Sequence, residues 1–274
     1  MTAPSRALTI AGSDSGGGAG IQADLKTFEE LGVYGMSVVT ALTAQNTLGV
    51  TGVHQVPAEF VTAQLNAVLG DLGADAVKVG MLGSASVAEA VAAGLVRHGV
   101  KKMVLDPVMV STSGTALLDE AGVKVLIRDL IPQAMVVTPN LLEAEHLLGR
   151  RIAGVAGMET AARDLLGLGC GGALVKGGHA EGPECVDVLA WRKGSEVGVR
   201  RYTGRRRATD NTHGTGCTLS AAMAAFLARG WELAEAVGRA KACLEAALEG
   251  GASWRLGGGP GPVSHFHLTK GDKP

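Results

Sequence analysis

Apolar runs of four or five residues alternate along this chain with longer stretches in which apolar positions recur every three or four residues, the pattern of buried strands interleaved with helices. The first run, residues 7–11, passes into the glycine-rich segment 12–20, which predicts a strand leaving its sheet through a glycine loop. A helix should follow, with Ile21, Leu25 and Phe28 on its inward stripe. Further strands are predicted over 38–46, 76–80, 102–107, 135–140 and 173–176. Helices are predicted from Pro57, over 84–98, from Asn140 and over 158–168, the one from Pro57 carrying Val61, Leu65, Val68, Leu69 and Leu72 on one face. Two strand-like runs, 186–191 and 197–203, flank a turn at Lys193-Gly194-Ser195. A helix over 219–229 places Leu219, Ala222, Met223, Phe226 and Leu227 on one buried face, with Gly230 as its stop. This alternation implies an α/β fold with a mostly parallel central sheet, helices on both faces, and a last strand pair that runs antiparallel at the edge. No linker, repeat or low-complexity segment interrupts it, so residues 1–274 are expected to form one domain.

Polar residues fall where such a sheet binds ligands. Asp14, Asp106, Asn140 and Lys176 lie at or just beyond the C-terminal ends of predicted strands, the edge at which open α/β sheets hold their ligands. The stretch Thr212-His213-Gly214-Thr215-Gly216-Cys217-Thr218 feeds a Gly-x-Gly turn directly into a helix. The first N–H groups of a helix have no carbonyl partner, and glycine lets a ligand approach the main chain, so an anion suits this position. Together with a lysine such as Lys176, these amides and the helix dipole can build a phosphate site. A Walker-type site is excluded, because no G-x-x-x-x-G-K-[ST] segment is present. Gly18-x-Gly20-x-x-Ala23 fits a dinucleotide fingerprint, but residues 38–46 lack the acidic residue that would bind a ribose, which excludes NAD.

Several side chains admit two readings. Asp24 shares the inward stripe of the first helix, so it is either hydrogen-bonded to nearby backbone or turned towards a ligand cleft, and the cleft is the expectation. Gln45 and Asn46 read a ligand's edge or simply form a turn, and the turn is expected. Met81 and Val108 are core residues or the walls of an apolar pocket. Residues 110–115 have the composition of a lid or of an ordinary surface loop. Asn140 with Glu143 three residues on matches a helix capping box, which accounts for both without a function.

Composition narrows the partners. A formal net charge of -1 argues against nucleic acid. Cys170, Cys185, Cys217 and Cys243 show no C-x-x-C pairing, which argues against structural zinc or a disulfide scaffold and for a reduced, cytoplasmic setting. No apolar run is long enough to span a bilayer and no leader-like segment opens the chain, so no membrane association is expected. Arg200, Arg201, Arg205, Arg206 and Arg207 are expected to form a solvated basic face, and His213, His265 and His267 to make structural hydrogen bonds.

An ordered set of segments resembles a known family: Gly12, the loop 15–21, Gln22-Ala-Asp-Leu-Lys26, Ala44-Gln-Asn-Thr47, Lys176-Gly-Gly-His179, Asn211-Thr-His-Gly-Thr-Gly-Cys217 and Gly261-Pro-Val-Ser-His-Phe-His267. Over nearly the whole chain they look like the hydroxymethylpyrimidine/phosphomethylpyrimidine kinases of thiamine biosynthesis, in the ribokinase superfamily. The resemblance implies a ribokinase-like fold and transfer of the γ-phosphoryl group of ATP to 4-amino-5-hydroxymethyl-2-methylpyrimidine, then to its monophosphate. It further implies that Gly12, Asp24, Gln45, Met81, Val108 and Cys217 surround the pyrimidine, and that residues 214–217 (Gly214, Thr215, Gly216 and Cys217) form an anion hole. Asp106, Asn140, Glu143, Lys176 and Thr212 would lie around ATP and Mg²⁺, with Asp106 and Glu143 nearest the metal. Cys217, at a helix N-terminus beside cationic charge, is expected to have a stabilised thiolate able to take the alcohol's proton. Relatives also imply a homodimer. The competing readings are a pyridoxal or pyridoxine kinase of the same superfamily, a Cys217–His213 hydrolase or acyltransferase, and a non-catalytic ligand sensor.

Overall fold

Apolar strands separated by helices fold as the periodicity requires. In the computed structural model the chain runs β1 (Arg6–Ala11), α1 (Gly20–Glu30), β2 (Tyr34–Val39), β3 (Ala41–Asn46), β4 (Gly49–Gln55), α2 (Ala58–Asp71), β5 (Ala76–Val79), α3 (Ala85–Arg97) and β6 (Met103–Leu105). It continues through α4 (Glu120–Val125), β7 (Val136–Val137), α5 (Leu141–Leu148), α6 (Gly154–Leu165), β8 (Gly172–Val175), β9 (Glu184–Lys193), β10 (Glu196–Arg205), α7 (Thr215–Ala228) and α8 (Leu233–Gly251). The structure describes residues 3–109, 117–178, 184–266 and 268, so the expected lid at 110–115, His179 and His267 lie outside the described residues.

Eight strands form one sheet in the order β10-β9-β8-β7-β6-β5-β1-β2. The pairings from β2 through β8 are parallel, and β9 and β10 close the edge antiparallel. Alternation within the strands feeds two cores. Leu8, Ile10, Val77, Val79, Met103 and Leu105 face one layer of helices, and Ala7, Ala76, Val104, Val136 and Leu174 face the other, where α1, α7 and α8 lie. The chain passes from β1 outward to β2, then returns to the other side of β1 as β5. Strand order therefore reverses between β1 and β5, and the C-terminal ends of these two strands are the position at which open α/β sheets hold ligands.

Three expectations change. The strand predicted over 38–46 breaks at Thr40, where Thr40 N donates to Ala11 O and Ser13 N to Ala41 O, folding the chain across the end of β1. Beyond that bend, β3 and β4 pair as a separate two-stranded hairpin. Asn46 makes the expected turn, its Oδ1 accepting from Leu48 N at 2.9 Å. Second, α7 is buried from Thr218 through Ala228 on every side, not along one stripe, because it lies between the sheet and two neighbouring helices. Third, only Val61 and Leu65 of the α2 stripe are fully buried, while Leu72 at its end is exposed.

Candidate active site

The N-terminus of α7 stands at the C-terminal edge of the sheet, and its geometry demands glycine. Gly214 has φ +84, and a Cβ there would collide with the Gly18 carbonyl oxygen of the loop leading into α1. Thr218 N donates to Gly214 O at 2.8 Å and Thr215 N to Thr212 O at 3.3 Å. Among the described residues, the N–H groups of Gly214, Gly216 and Cys217 have no acceptor. Thr215, Gly216 and Cys217 are half-buried and Thr212 is exposed, so the turn is reachable from solvent. Unpaired main-chain donors at a positive helix terminus are a site for negative charge.

A cation is fixed against this turn. Lys176, just past β8, donates to Asp106 Oδ1 at 2.8 Å, and a Cβ on Gly216 would lie 3.4 Å from Lys176 Nζ. Thr138 donates to the same Asp106 oxygen at 3.0 Å, and Ser220 on α7 donates to Asp106 Oδ2 at 3.3 Å. Burial opposes charge on Asp106, yet Lys176 and Lys78 hold its carboxyl below the usual range. Burial would likewise lower Lys176, but Asp106 and Glu143 keep it raised, so it stands as an ammonium. Asn140 and Glu143 form the expected capping box at α5, with Glu143 N to Asn140 Oδ1 at 2.9 Å and Asn140 N to Glu143 Oε2 at 2.8 Å. Burial pushes Glu143 up to about 7, and Asp106 adds to the rise while Lys176 opposes it.

Two expectations about the floor of the site are corrected. Asp24 is not open to the cleft: it is 0% exposed, and its Oδ2 accepts from Thr9 Oγ1 at 2.6 Å and from Lys78 Nζ at 2.7 Å. Among the described residues its Oδ1 has no hydrogen-bond partner. The reason is register. Lys78 alternates with Val77 and Val79 on β5 and so points to the α1 and α7 face, where a buried ammonium requires a counter-charge. Sequence reasoning passed over Lys78, although a lysine inside the apolar run 76–79 was a visible signal. Cys217 is not a stabilised thiolate. Burial pushes its thiol up to about 11, Asp24 and Asp106 push the same way, and Lys78 opposes them, so it stands as a thiol at neutral pH.

The reversal between β1 and β5 supplies the pocket wall. Gly12 N donates to Met81 O at 3.1 Å, and a Cβ on Gly12 would come within 2.7 Å of Met81 Cε. Met81 and Val108 are both partly exposed at strand ends. Gln45 is brought to the same edge through Ser15, whose Oγ takes Gln45 N and donates to Gln45 O, each at 2.8 Å. His265 Nε2 meets Thr218 Oγ1 at 3.0 Å and His213 Nε2 meets Asp14 Oδ2 at 2.8 Å, hydrogen bonds of the structural kind expected. Four of the five arginines of the cluster are engaged at the surface: Arg201 with Glu159, Arg207 with Glu249, Arg206 with Gly178 O and Arg200 over the Tyr202 ring.

Amides left open at a helix terminus, with an ammonium clamped beside them by a carboxylate, suit charge that grows on a group in transit. The molecule is a kinase with a ribokinase-like fold. It belongs to the phosphomethylpyrimidine kinase family, whose sequence profile matches residues 14–264. The chain is 55% identical to the hydroxymethylpyrimidine/phosphomethylpyrimidine kinase of Rhizobium meliloti, over 95% of this chain and 97% of that one. The crystal structure of phosphomethylpyrimidine kinase from Clostridium difficile aligns with a TM-score of 0.77 at 42% identity, covering 89% of this chain and 99% of that one. An ADP complex of Bacillus subtilis pyridoxal kinase aligns with a TM-score of 0.87 at 38% identity, covering 97% and 99%. Among the described residues no helix is long and apolar enough to cross a membrane.

Proposed function

We propose that this chain transfers the γ-phosphoryl group of ATP to 4-amino-5-hydroxymethyl-2-methylpyrimidine and then to the resulting monophosphate. The observation that carries the reading is the set of N–H groups on Gly214, Gly216 and Cys217 that have no acceptor among the described residues, beside the Lys176 ammonium. Phosphoryl transfer passes through a loose transition state that asks the protein for positioning and neutralisation far more than for a base. The turn supplies donors for the equatorial oxygens and Lys176 supplies charge. Cys217 orients the alcohol as a thiol, the form burial favours, and the hydroxyl proton passes to solvent or to a phosphate oxygen as the new P–O bond forms and ADP departs. Gly12, Met81, Val108 and Gln45 hold the ring at the strand reversal. Asp24 acts from beneath, through Lys78 and its unsatisfied Oδ1.

Asp106, Glu143, Asn140 and Thr212 stand around the phosphates. Among the described residues no group of three His, Cys, Asp or Glu is placed to hold a metal. Magnesium commonly takes one or two carboxylates together with substrate phosphates and water, so Asp106 and Glu143 fit an ion that arrives with the nucleotide. That ion would supply charge neutralisation on the phosphates. A reduced compartment suits the four free cysteines, a homodimer is the expected assembly, and the whole chain acts as one kinase domain.

The names of the relatives favour the pyrimidine over pyridoxal. Coupled ADP detection with the two alcohols side by side, with product mass measured, tests the proposal. Efficient ADP release with the pyrimidine and formation of mono- and then diphosphate is the expected result. Preference for pyridoxal refutes it.

A further inference from the structure

The glycine loop between β1 and α1 and the anion-binding turn before α7 come from distant parts of the chain, and they meet on one imidazole. Asp14 is 2% exposed and gathers the loop around its carboxylate. Oδ1 accepts from Gly16 N at 2.8 Å, and Oδ2 accepts from Gly18 N at 3.0 Å and Ala19 N at 2.8 Å. His213 Nε2 lies 2.8 Å from that same Oδ2, bridging 199 positions of sequence. Burial alone would raise the Asp14 carboxyl, but the His213 bond and the loop amides hold it below the usual range, so the acceptor is ionised.

The fit around this bond leaves no slack. A Cβ on Gly18 would lie 2.6 Å from His213 Cδ2 and 2.8 Å from Pro262 Cβ. The backbone of His213 is fixed from the other side by the segment near the C-terminus, with His213 N donating to Gly261 O at 3.1 Å and Val263 N donating to His213 O at 3.2 Å. The ring thus projects from a pinned backbone into the loop that carries Gly12 and Ser13 from the pocket wall to the start of α1. Gly12 of the proposed alcohol site lies two residues before Asp14, and Gly214, the first of the open amides of the turn, directly follows His213.

We propose that His213 is a positioning residue: its bond to Asp14 clasps the β1–α1 loop onto the anion-binding turn and sets the distance between the bound alcohol and the phosphoryl group that it attacks. This rests on the kinase reading. Displacing reacting groups by about an ångström costs on the order of 100-fold in rate, which is the scale at stake when two loops lose their tie.

The test compares His213→Ala, His213→Gln and Asp14→Asn with the intact protein. Glutamine places an N–H donor at about the reach of Nε2 and alanine does not. His213→Ala is expected to lower kcat by about 10- to 100-fold with the KM for ATP within about threefold, because the turn itself remains. His213→Gln should recover activity to within about threefold of the parent. In the double variant Asp14→Asn/His213→Ala the losses should sum to less than the two singles, the shortfall being the shared His213–Asp14 bond, because Asp14→Asn also disturbs the loop amides of Gly16, Gly18 and Ala19. Thermal unfolding separates loss of fold from loss of alignment, and hydrogen–deuterium exchange over residues 213–217 reads the clasp without turnover. The proposal is overturned by a His213→Ala enzyme with kcat within twofold of the parent, by failure of glutamine to restore it in a folded protein, or by unchanged exchange. Should the unmodified protein release no ADP with the pyrimidine, the kinase reading falls, and exchange at 213–217 still decides the clasp.

Discussion

Lys78→Met removes an ammonium from a place that water does not reach. Nζ and the Asp24 carboxylate are both 0% exposed and lie 2.7 Å apart. After the substitution Asp24 keeps Thr9 as a donor, while its Oδ1 already lacks one. Breaking a buried pair by deleting one partner typically costs about 3–5 kcal/mol, a large part of a total stability on the order of 5–15 kcal/mol. At roughly 2–4 °C per kcal/mol for a chain of this size, the melting temperature should fall by roughly 6–20 °C. The loss should also acquire a pH dependence. Burial already pushes Asp24 upward, and without Lys78 its folded-state value rises further above an unfolded value of about 3.9. Such a group contributes fully below the unfolded value and loses that contribution as pH rises through the folded one, so the deficit should be larger at pH 8 than at pH 5. Asp24→Leu/Lys78→Met, which removes both charges and fills the space, should return to within about 1 kcal/mol of the parent. Urea unfolding followed by tryptophan fluorescence at the two pH values, with calorimetry, measures all of this. A Lys78→Met protein that melts within about 2 °C of the parent refutes the reasoning, as does a double variant no more stable than the single one.

The remaining predictions concern the site and its support. Lys176→Met should lower kcat by about 10²- to 10³-fold, the scale of one lost electrostatic contact to the transferring group, and an ADP-release assay on the folded variant checks it. Cys217→Ala should keep the fold and nucleotide binding while turnover falls severely, and near-normal turnover would remove Cys217 from the reaction. Burial drives His265 down to about 4 from an ordinary value of 6.5. Its neutral form therefore stabilises the fold in full above about pH 6.5, and that contribution, about 3 kcal/mol, is lost as pH falls towards 4. His265→Gln should flatten this slope in melting temperatures recorded between pH 7 and 4.

The sheet was legible because its strands are short apolar runs punctuated by glycine and proline, and the antiparallel edge was legible from the turn at Lys193-Gly194-Ser195. The break at Thr40 was not, since the bend depends on backbone bonds to Ala11 and Ala41 that only the folded chain brings together. Helix α8 was legible in the recurrence of Val237, Ala240, Leu244 and Ala247 at helical spacing, and it was not read from them. Its partner faces, on α7 and on the sheet, are known only once the layers are stacked. In the site, Gly214 and Gly216 announced themselves through local chemistry, because a Gly-x-Gly turn entering a helix has a backbone meaning of its own. Lys78, Ser220 and Thr138 did not. Each acts through a partner remote in sequence, Asp24 for the first and Asp106 for the others. Cys217 was misjudged because the stretch around it displays the helix terminus and hides the partial burial of the thiol and the carboxylates of Asp24 and Asp106 near it.

Helix α7 is wrapped on all sides by its neighbours, and its first turn is also the proposed phosphate cradle. In most enzymes a chemist can tune the working loops while leaving the hydrophobic interior alone. Here the central rod of the interior and the working end are one rigid object, so a methyl group added near Ala221 or Ala225 would be felt at the cradle as a shift of the whole axis. Attempts to harden this protein against heat by repacking its centre should therefore register as altered kinetics before they register as altered melting.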